Sequence, residues 1–456
     1  MNRTQRRGQV GRRRIGHPER VVPLAFLAGI AAGTLLLMLP LARSGGLSGT
    51  EGAPLLTALF TATSALCVTG LTPVDIASYW SPFGHLVILL LLQAGGLGIM
   101  TGATLLGLLV TRRMPLRGRL MASAEMRSLD LGDVQHVLRL VVISTLATEA
   151  VLTLWLGLRF WSWGMPAGEA LWHGLFHACS AFMNTGFSTL PEGLVPHRGD
   201  FLLLLPLMIG VMLGGIGFPV LHELRLEWRR PERWSIHTKL TLWGSVGLTL
   251  FGLLAVLLFE WANPATLGGE GVGGKLLGAL FHSVMTRSGG FSIHDPASMG
   301  VDTTLISSAL MLIGGGSAST AGGIRITTFL LLGFVVWSEI RARPDSVAFR
   351  RRISPDVQRQ ALAVVLTAVG VVSLGLLILT NIVEAPVEKI MFEAISAFAT
   401  VGLSTGLTAS MPPAGQVVLI VLMFVGRVGT VSLATALALR VKSTPFRYPE
   451  ERPIVG

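Results

Sequence analysis

Long apolar stretches separated by short basic clusters set the rhythm of this 456-residue chain. Runs from Val21 to Leu41, Leu86 to Val110, Phe201 to Leu221, Thr241 to Trp261, Thr304 to Trp337, Ala361 to Thr380 and Val417 to Leu439 match the roughly 20 apolar residues with which a helix crosses a bilayer. A weaker stretch near Val137 to Phe160 carries Arg139, Glu149 and Arg159. It is counted as a span because without it the later basic clusters would change sides of the membrane. The pattern predicts an all-α integral membrane protein with eight transmembrane helices.

Between these spans a second pattern recurs four times. FTATSALCVTGLT (Phe60 to Thr72), FHACSAFMNTGFS (Phe176 to Ser188), FHSVMTRSGGFS (Phe281 to Ser292) and FEAISAFATVGLS (Phe392 to Ser404) each run from a Phe into a glycine followed by an apolar and a hydroxyl residue. The closing glycines Gly70, Gly186, Gly290 and Gly402 are spaced by 116, 104 and 112 residues. That period is far above the roughly 20 to 50 residues of a solenoid unit, so each repeat holds several elements. Each segment falls on the outer side, between an outward-going and an inward-returning helix, and is too short to cross. The expectation is four re-entrant segments, about three turns of helix and then an extended strand. Irregular backbone at membrane depth must be buried in protein or line a wet cavity, and four such segments around one axis would line a pore.

Composition supports a membrane protein: mean hydropathy is +0.65 and only 13% of residues are charged. The net charge of +11 would suit a nucleic-acid binder, but 28 of the 36 Lys and Arg lie in five clusters, at every second inter-helix connection and at both chain ends. That is the cytoplasmic excess of positive charge expected of a polytopic protein, with both termini cytoplasmic. The Arg-rich start, residues 1–20, reads as a cytoplasmic tail and not a signal peptide. Cys67 and Cys179 fall in equivalent repeat segments at membrane depth, where a structural disulfide would be unusual.

Pore chemistry accounts for the residue types. A dehydrated cation needs oxygen ligands, which a strand of inward-facing carbonyls supplies. Glycine opens backbone angles closed to other residues, and half-helices aimed inward present negative C-terminal ends to a cation. The competing reading makes the glycines helix-packing sites; four copies at matched positions favour the pore.

With these segments, GGGSASTAGGIR (Gly314 to Arg325) and FVGRVGT (Phe424 to Thr430), the chain resembles the Trk/Ktr/HKT superfamily of potassium transporters. The resemblance implies four membrane-pore-membrane repeats around a pseudo-fourfold pore, here 21–111, 112–230, 231–341 and 342–441, with a C-terminal cytoplasmic tail at 442–456. It implies a K+ filter made by backbone carbonyls of Val68, Thr69, Gly70, Asn184, Thr185, Gly186, Ser288, Gly289, Gly290, Thr400, Val401 and Gly402. It makes 314–323 an intramembrane gate loop through Gly314, Gly315, Gly316, Ser317, Ser319, Thr320, Gly322 and Gly323. The glycines and hydroxyls of that stretch are in any case poor at sustaining helix. Arg427, a charge inside an apolar helix, would be costly unpaired. The resemblance puts it just below the filter as an electrostatic barrier, and a structural tie to the loop is compatible with that role.

In the plant branch a serine in place of the first filter glycine accompanies sodium preference, so four glycines imply potassium. The short termini resemble the Ktr-type membrane subunit. A member of that branch is expected in the bacterial cytoplasmic membrane, as a homodimer on a cytosolic RCK-type ring that binds ATP, ADP or NAD, with Na+ a candidate activator. No GxGxxG fingerprint follows a predicted strand here, so nucleotide sensing would belong to the partner. The basic loop from Arg341 to Arg359 is a candidate docking surface.

Other candidates are weaker. His173 and His177 have an i, i+4 spacing but no third metal ligand. Arg287 is expected to brace the third filter approach, and Arg325 to reach the interface. Asp75, Asp295 and Glu393 would concentrate cations or cap helices. A serine hydrolase using Ser317 or Ser319 lacks a base at membrane depth, so no enzyme is expected. A Na+- or H+-coupled symporter remains the alternative; inverted repeats would run antiparallel, whereas these four share one orientation.

Overall fold

A computed structural model describes residues 18–45, 52–113, 134–343 and 345–429, so both tails and Thr430 onward lie outside the described residues. Counting helices of ten residues or more, the chain forms α1 (Pro18–Leu37), α2 (Leu55–Leu66), α3 (Pro82–Arg113), α4 (Val134–Ser162), α5 (Ala167–Phe182), α6 (Phe201–Ile216) and α7 (Phe218–Glu227). Then follow α8 (Ile236–Glu260), α9 (Val272–Met285), α10 (Val301–Leu312), α11 (Ile326–Ile340), α12 (Pro355–Ile382), α13 (Val387–Phe398) and α14 (Pro413–Phe424), which runs into a π-helical turn at Val425–Gly429. A two-residue hairpin pairs Val347–Ala348 with Arg351–Arg352, the second strand exposed.

The four short helices α2, α5, α9 and α13 contain the recurring Phe segments. Pro54, Pro166 and Pro386 stand at the N-caps of three of them with φ near the ring's fixed value, and glycine takes that place before α9. All four helices end two or three residues before a left-handed residue, where a strand begins.

Packing closes the four repeats into a ring. One buried cluster joins Phe60 and Leu66 of the first repeat to Phe392, Phe398 and Leu422 of the fourth, and takes in Met311 and Ile324 of the third. A second joins Val68 and Ile88 to Phe176 and Phe182. A third joins Leu203 and Leu207 to Phe281 and Met285. The repeats therefore meet in the order first, second, third, fourth and back to the first. Outer helices carry large exposed apolar side chains, among them Leu35, Leu154, Leu254, Leu258, Leu366 and Leu377. In water such a belt would be a liability; against lipid tails it costs nothing.

Three described helices are long and apolar enough to cross a membrane: Leu138–Ser162, Ile236–Glu260 and Pro355–Ile382. The first of these is the weak span that charge placement required. Phe201–Ile216 and Phe218–Glu227 make a fourth if taken together, bent by 98° at Gly217. The remaining apolar helices are shorter, partly because α10 and α11 are separated by the Gly/Ser-rich stretch and because α14 leads out of the described residues.

Candidate functional site

Left-handed backbone marks the same two places in every repeat. Val68, Asn184, Ser288 and Thr400 have φ of 57°, 60°, 67° and 48°, and two residues on, Gly70, Gly186, Gly290 and Gly402 have 95°, 82°, 74° and 95°. For branched Val68 and Thr400 this conformation is strained, and such strain collects at functional sites. Alternation of hand turns successive carbonyls toward one side of a strand.

The four glycines converge. A Cβ added at Gly70 would lie 1.7 Å from Thr185 O and 3.3 Å from Gly402 Cα; one at Gly290 would lie 2.6 Å from Thr185 O and 2.7 Å from Val401 O. At Gly402 it would meet Thr69 O at 2.4 Å, and at Gly186 the Gly290 backbone at 2.4 Å. The Cβ at Gly186 would also lie 2.8 Å from Gly290 O, so carbonyl oxygens from all four repeats crowd the space that the four glycines enclose. Backbone atoms on every side leave no room for a side chain.

Each strand is tied back to its own helix. Thr69 N, Thr185 N and Val401 N donate to Ser64 O, Ser180 O and Ser396 O at 2.7, 2.8 and 2.9 Å. The Ser64 and Ser396 hydroxyls accept from Gly70 N and Gly402 N, at 3.0 and 3.2 Å. The third repeat, one residue shorter, uses Met285 O for both Gly289 N and Gly290 N. Arg287 braces it from outside, donating to Ser245 O, Ser245 Oγ and Thr249 Oγ1 of α8.

Inner-helix glycines support this frame from below. A Cβ at Gly95, Gly214 or Gly426 would lie 1.9, 1.9 or 1.8 Å from Leu66 O, Phe182 O or Phe398 O. These carbonyls sit at the ends of α2, α5 and α13, so three inner helices press their backbones against three short-helix C-termini.

The stretch between α10 and α11 lies under the strands. A parallel bridge pairs Ile313 with Ile324 and closes its neck. Gly316 N and Thr320 N donate to Gly215 O and Gly214 O, carbonyls freed where α6 breaks at Gly217. Thr320 Oγ1 donates to Asn184 Oδ1 at 2.9 Å, and Gly322 N to Ser288 Oγ at 3.3 Å. A Cβ at Gly322 would meet Thr400 Oγ1 at 2.0 Å. The loop therefore touches the left-handed residues of three repeats. Within it Ser319 Oγ donates to Gly316 O, and Ser317 Oγ hydrogen-bonds Thr327 Oγ1.

Two arginines grip this loop. Arg427, 1% exposed and inside the π-helical turn, donates to Thr320 O. Arg325 does not reach out to the interface as its position suggests. It turns back and donates to Ala321 O, Ser319 Oγ and Gly316 O.

The remaining candidates are structural. His173 bonds Thr189 Oγ1, and His177 bonds His173 O and Ser188 Oγ. Among the described residues no group of three His, Cys, Asp or Glu could hold a metal. Asp75 and Asp295 cap short helices. Glu393 is fully buried and accepts from Ser404 Oγ, Thr405 N, Thr405 Oγ1 and Thr408 Oγ1, so it fixes the outer end of the fourth strand and does not face the mouth. Sequence reasoning missed the supporting glycines and the break at Gly217; the doublets Gly95-Gly96 and Gly214-Gly215 were the available signal.

Comparison with known proteins places this arrangement. Residues 33–446 match the family model TrkH, described as a cation transport protein. The chain is 37% identical to the Ktr system potassium uptake protein B of Bacillus subtilis, covering 96% of this chain and 97% of that protein. It is 34% identical to its namesake in Vibrio alginolyticus, over 97% and 95%, and 30% identical to the potassium/sodium uptake protein NtpJ of Enterococcus hirae, over 96% and 97%. The crystal structure of the potassium transporter TrkH from Vibrio parahaemolyticus superposes with a TM-score of 0.68 at 18% identity, covering 95% of this chain and 86% of that one.

Proposed function

The chain belongs to the TrkH family of cation transport proteins, and from that premise we propose that it takes up potassium across the cytoplasmic membrane through a carbonyl-lined filter. The convergence of Gly70, Gly186, Gly290 and Gly402 on one another's carbonyls carries this reading. Carbonyl dipoles held rigidly around an axis replace the hydration shell of K+ without a buried carboxylate. The helices α2, α5, α9 and α13 end beside the strands, so their partial negative charge favours a cation there. Ties from Ser64, Ser180 and Ser396 hold the strands while ions exchange between sites.

The loop 314–323 is the gate in this reading, and Arg427 its latch. With the loop against the strands and a guanidinium beneath them, a cation leaving the filter meets both a steric and an electrostatic barrier. Opening requires Thr320 to part from Asn184 and Arg427, which a small displacement of flexible residues achieves. Eight spans in four repeats, with both ends cytoplasmic, complete the arrangement. The pore belongs to one protomer of a homodimer. The exposed hairpin at Arg351–Arg352 is a docking surface for a cytosolic nucleotide-binding ring, which would carry the nucleotide sensing.

Potassium and sodium flux into liposomes holding the full chain, with and without a co-expressed cytosolic partner, tests the proposal. Potassium flux well above sodium flux is expected. Potassium entry only against an imposed sodium or proton gradient would replace the pore by a coupled symporter, and no flux under any partner or nucleotide condition from folded protein would remove it.

A further inference from the structure

The hydroxyl residue two places after each of the four glycines holds its strand in one of two ways. In the second and fourth repeats it reaches back to the short helix that precedes the strand. Ser188 Oγ meets His177 Nε2 at 2.9 Å and accepts from Leu190 N at 3.1 Å. Ser404 Oγ donates to Glu393 Oε1 at 2.8 Å and accepts from Gly406 N at 3.0 Å. In the first and third repeats the bond stays local: Thr72 Oγ1 donates to Val74 O at 2.6 Å, and Ser292 Oγ donates to His294 O.

The residue directly after the Phe of each repeat decides between the two. It is Thr61, His177, His282 and Glu393 in turn, and all four are buried. His177 Nδ1 faces His173 O at 2.8 Å. A carbonyl only accepts, so Nδ1 carries the proton and Nε2 of the neutral ring accepts from Ser188 Oγ. Glu393 can only accept, and takes Thr405 N at 2.8 Å as well. Thr61 Oγ1 has no hydrogen-bond partner among the described residues, and His282 turns away to Ser307 Oγ of α10 at 2.8 Å. The two tied strands, second and fourth, stand across the ring from each other. In the second, Ser180 Oγ occupies the Phe187 carbonyl at 2.8 Å, so Gly186 O is the last carbonyl before the tie.

Hydrogen bonds in dry surroundings hold their partners firmly, and carbonyls held at a fixed separation distinguish one ion from another. We infer that His177 and Glu393 are positioning residues for the outermost ion site, fixing it along the diagonal from the second strand to the fourth while local turns hold the other diagonal. The inference rests on the carbonyl filter proposed above and assigns unequal parts to its four strands.

The test is uptake of rubidium, standing in for potassium, into liposomes holding the full chain, measured against external rubidium concentration. Ser188→Ala and Ser404→Ala should each raise the half-saturating concentration at least about threefold, within the worth of one hydrogen bond, with the maximal rate little changed. Ser404→Thr keeps the hydroxyl and should restore the parent value. Glu393→Thr, which installs the first repeat's residue, should add little to Ser404→Ala if both act through one tie. Thr72→Ala and Ser292→Ala, which break only local turns, should leave half-saturation near the parent value. Equal shifts from all four hydroxyl variants would overturn the inference, and so would a lower maximal rate at unchanged half-saturation, the mark of a merely structural tie. Parent behaviour in Ser188→Ala and Ser404→Ala would overturn it alone if Gly70→Ser still alters selectivity; if Gly70→Ser has no effect either, the filter itself falls.

Discussion

At the scale of single residues, the strongest constraint is the one on the four glycines. Each needs a positive φ and each lacks room for a Cβ, so two independent requirements coincide at one atom. At Gly70 the obstacle is the Thr185 carbonyl, which cannot rotate away as a side chain would. Gly70→Ser is therefore expected to displace that carbonyl and lower potassium over sodium selectivity by about tenfold or more, equivalent to roughly 1.4 kcal/mol. Ratios of rubidium to sodium uptake in liposomes would show it, and an unaltered ratio in folded protein would take Gly70 out of the filter. The glycines were legible because their repetition is written in the chain. The left-handed Val68 and Thr400 were not, since no propensity points a branched residue to that conformation; surrounding backbone bonds impose it. Glu393 misled for a similar reason: a carboxylate near a mouth suggests cation capture, whereas four donors at the outer end of its strand hold it inward.

At the scale of elements, two broken helices answer each other. The interruption between α10 and α11 is legible from five glycines and three hydroxyl residues in ten positions. The break between α6 and α7 is fainter: Phe201 to Leu221 reads as one apolar run marked by the doublet Gly214-Gly215, and it is the loop's amide groups that give Gly214 O and Gly215 O a reason to leave the helix ladder. Loop, broken helix and the π-helical turn of Arg427 form one hydrogen-bonded unit, so weakening any member should loosen it. Arg427→Gln removes both the charge and the strongest donor to Thr320 O, and potassium flux in the absence of a cytosolic partner is expected to rise several-fold. Arg325→Gln, which removes donors to Gly316 O, Ser319 Oγ and Ala321 O but leaves the Arg427 tie to Thr320 O in place, should raise flux less. Equal flux from Arg427→Gln and the parent protein, both folded, would deny the loop its gating role.

At the scale of the whole molecule, charge placement and repeat orientation predict which faces lie on which side. Because Cys67 and Cys179 are buried, introduced cysteines can be labelled over little background. Glu384→Cys, two residues past the end of α12 and on the face that charge placement predicts to be external, should react with a membrane-impermeant maleimide in intact cells, and Arg351→Cys, in the hairpin, only after permeabilisation. The opposite pattern would invert the topology. The ring order of the repeats was implied by the sequence, but its closure through the Phe26, Phe60 and Phe392 cluster depends on contacts some 330 residues apart, which no local pattern encodes. The third repeat differs from its siblings: it is one residue shorter before its glycine, it alone carries Arg287, and the loop follows it directly. Four identical subunits would have to repeat any such departure four times. If the strands are the ion path and the loop the gate, as proposed, joining the quarters in a single polypeptide lets one of them diverge while the others keep the path symmetric, and specialisation of a gate becomes a benefit of covalent linkage itself.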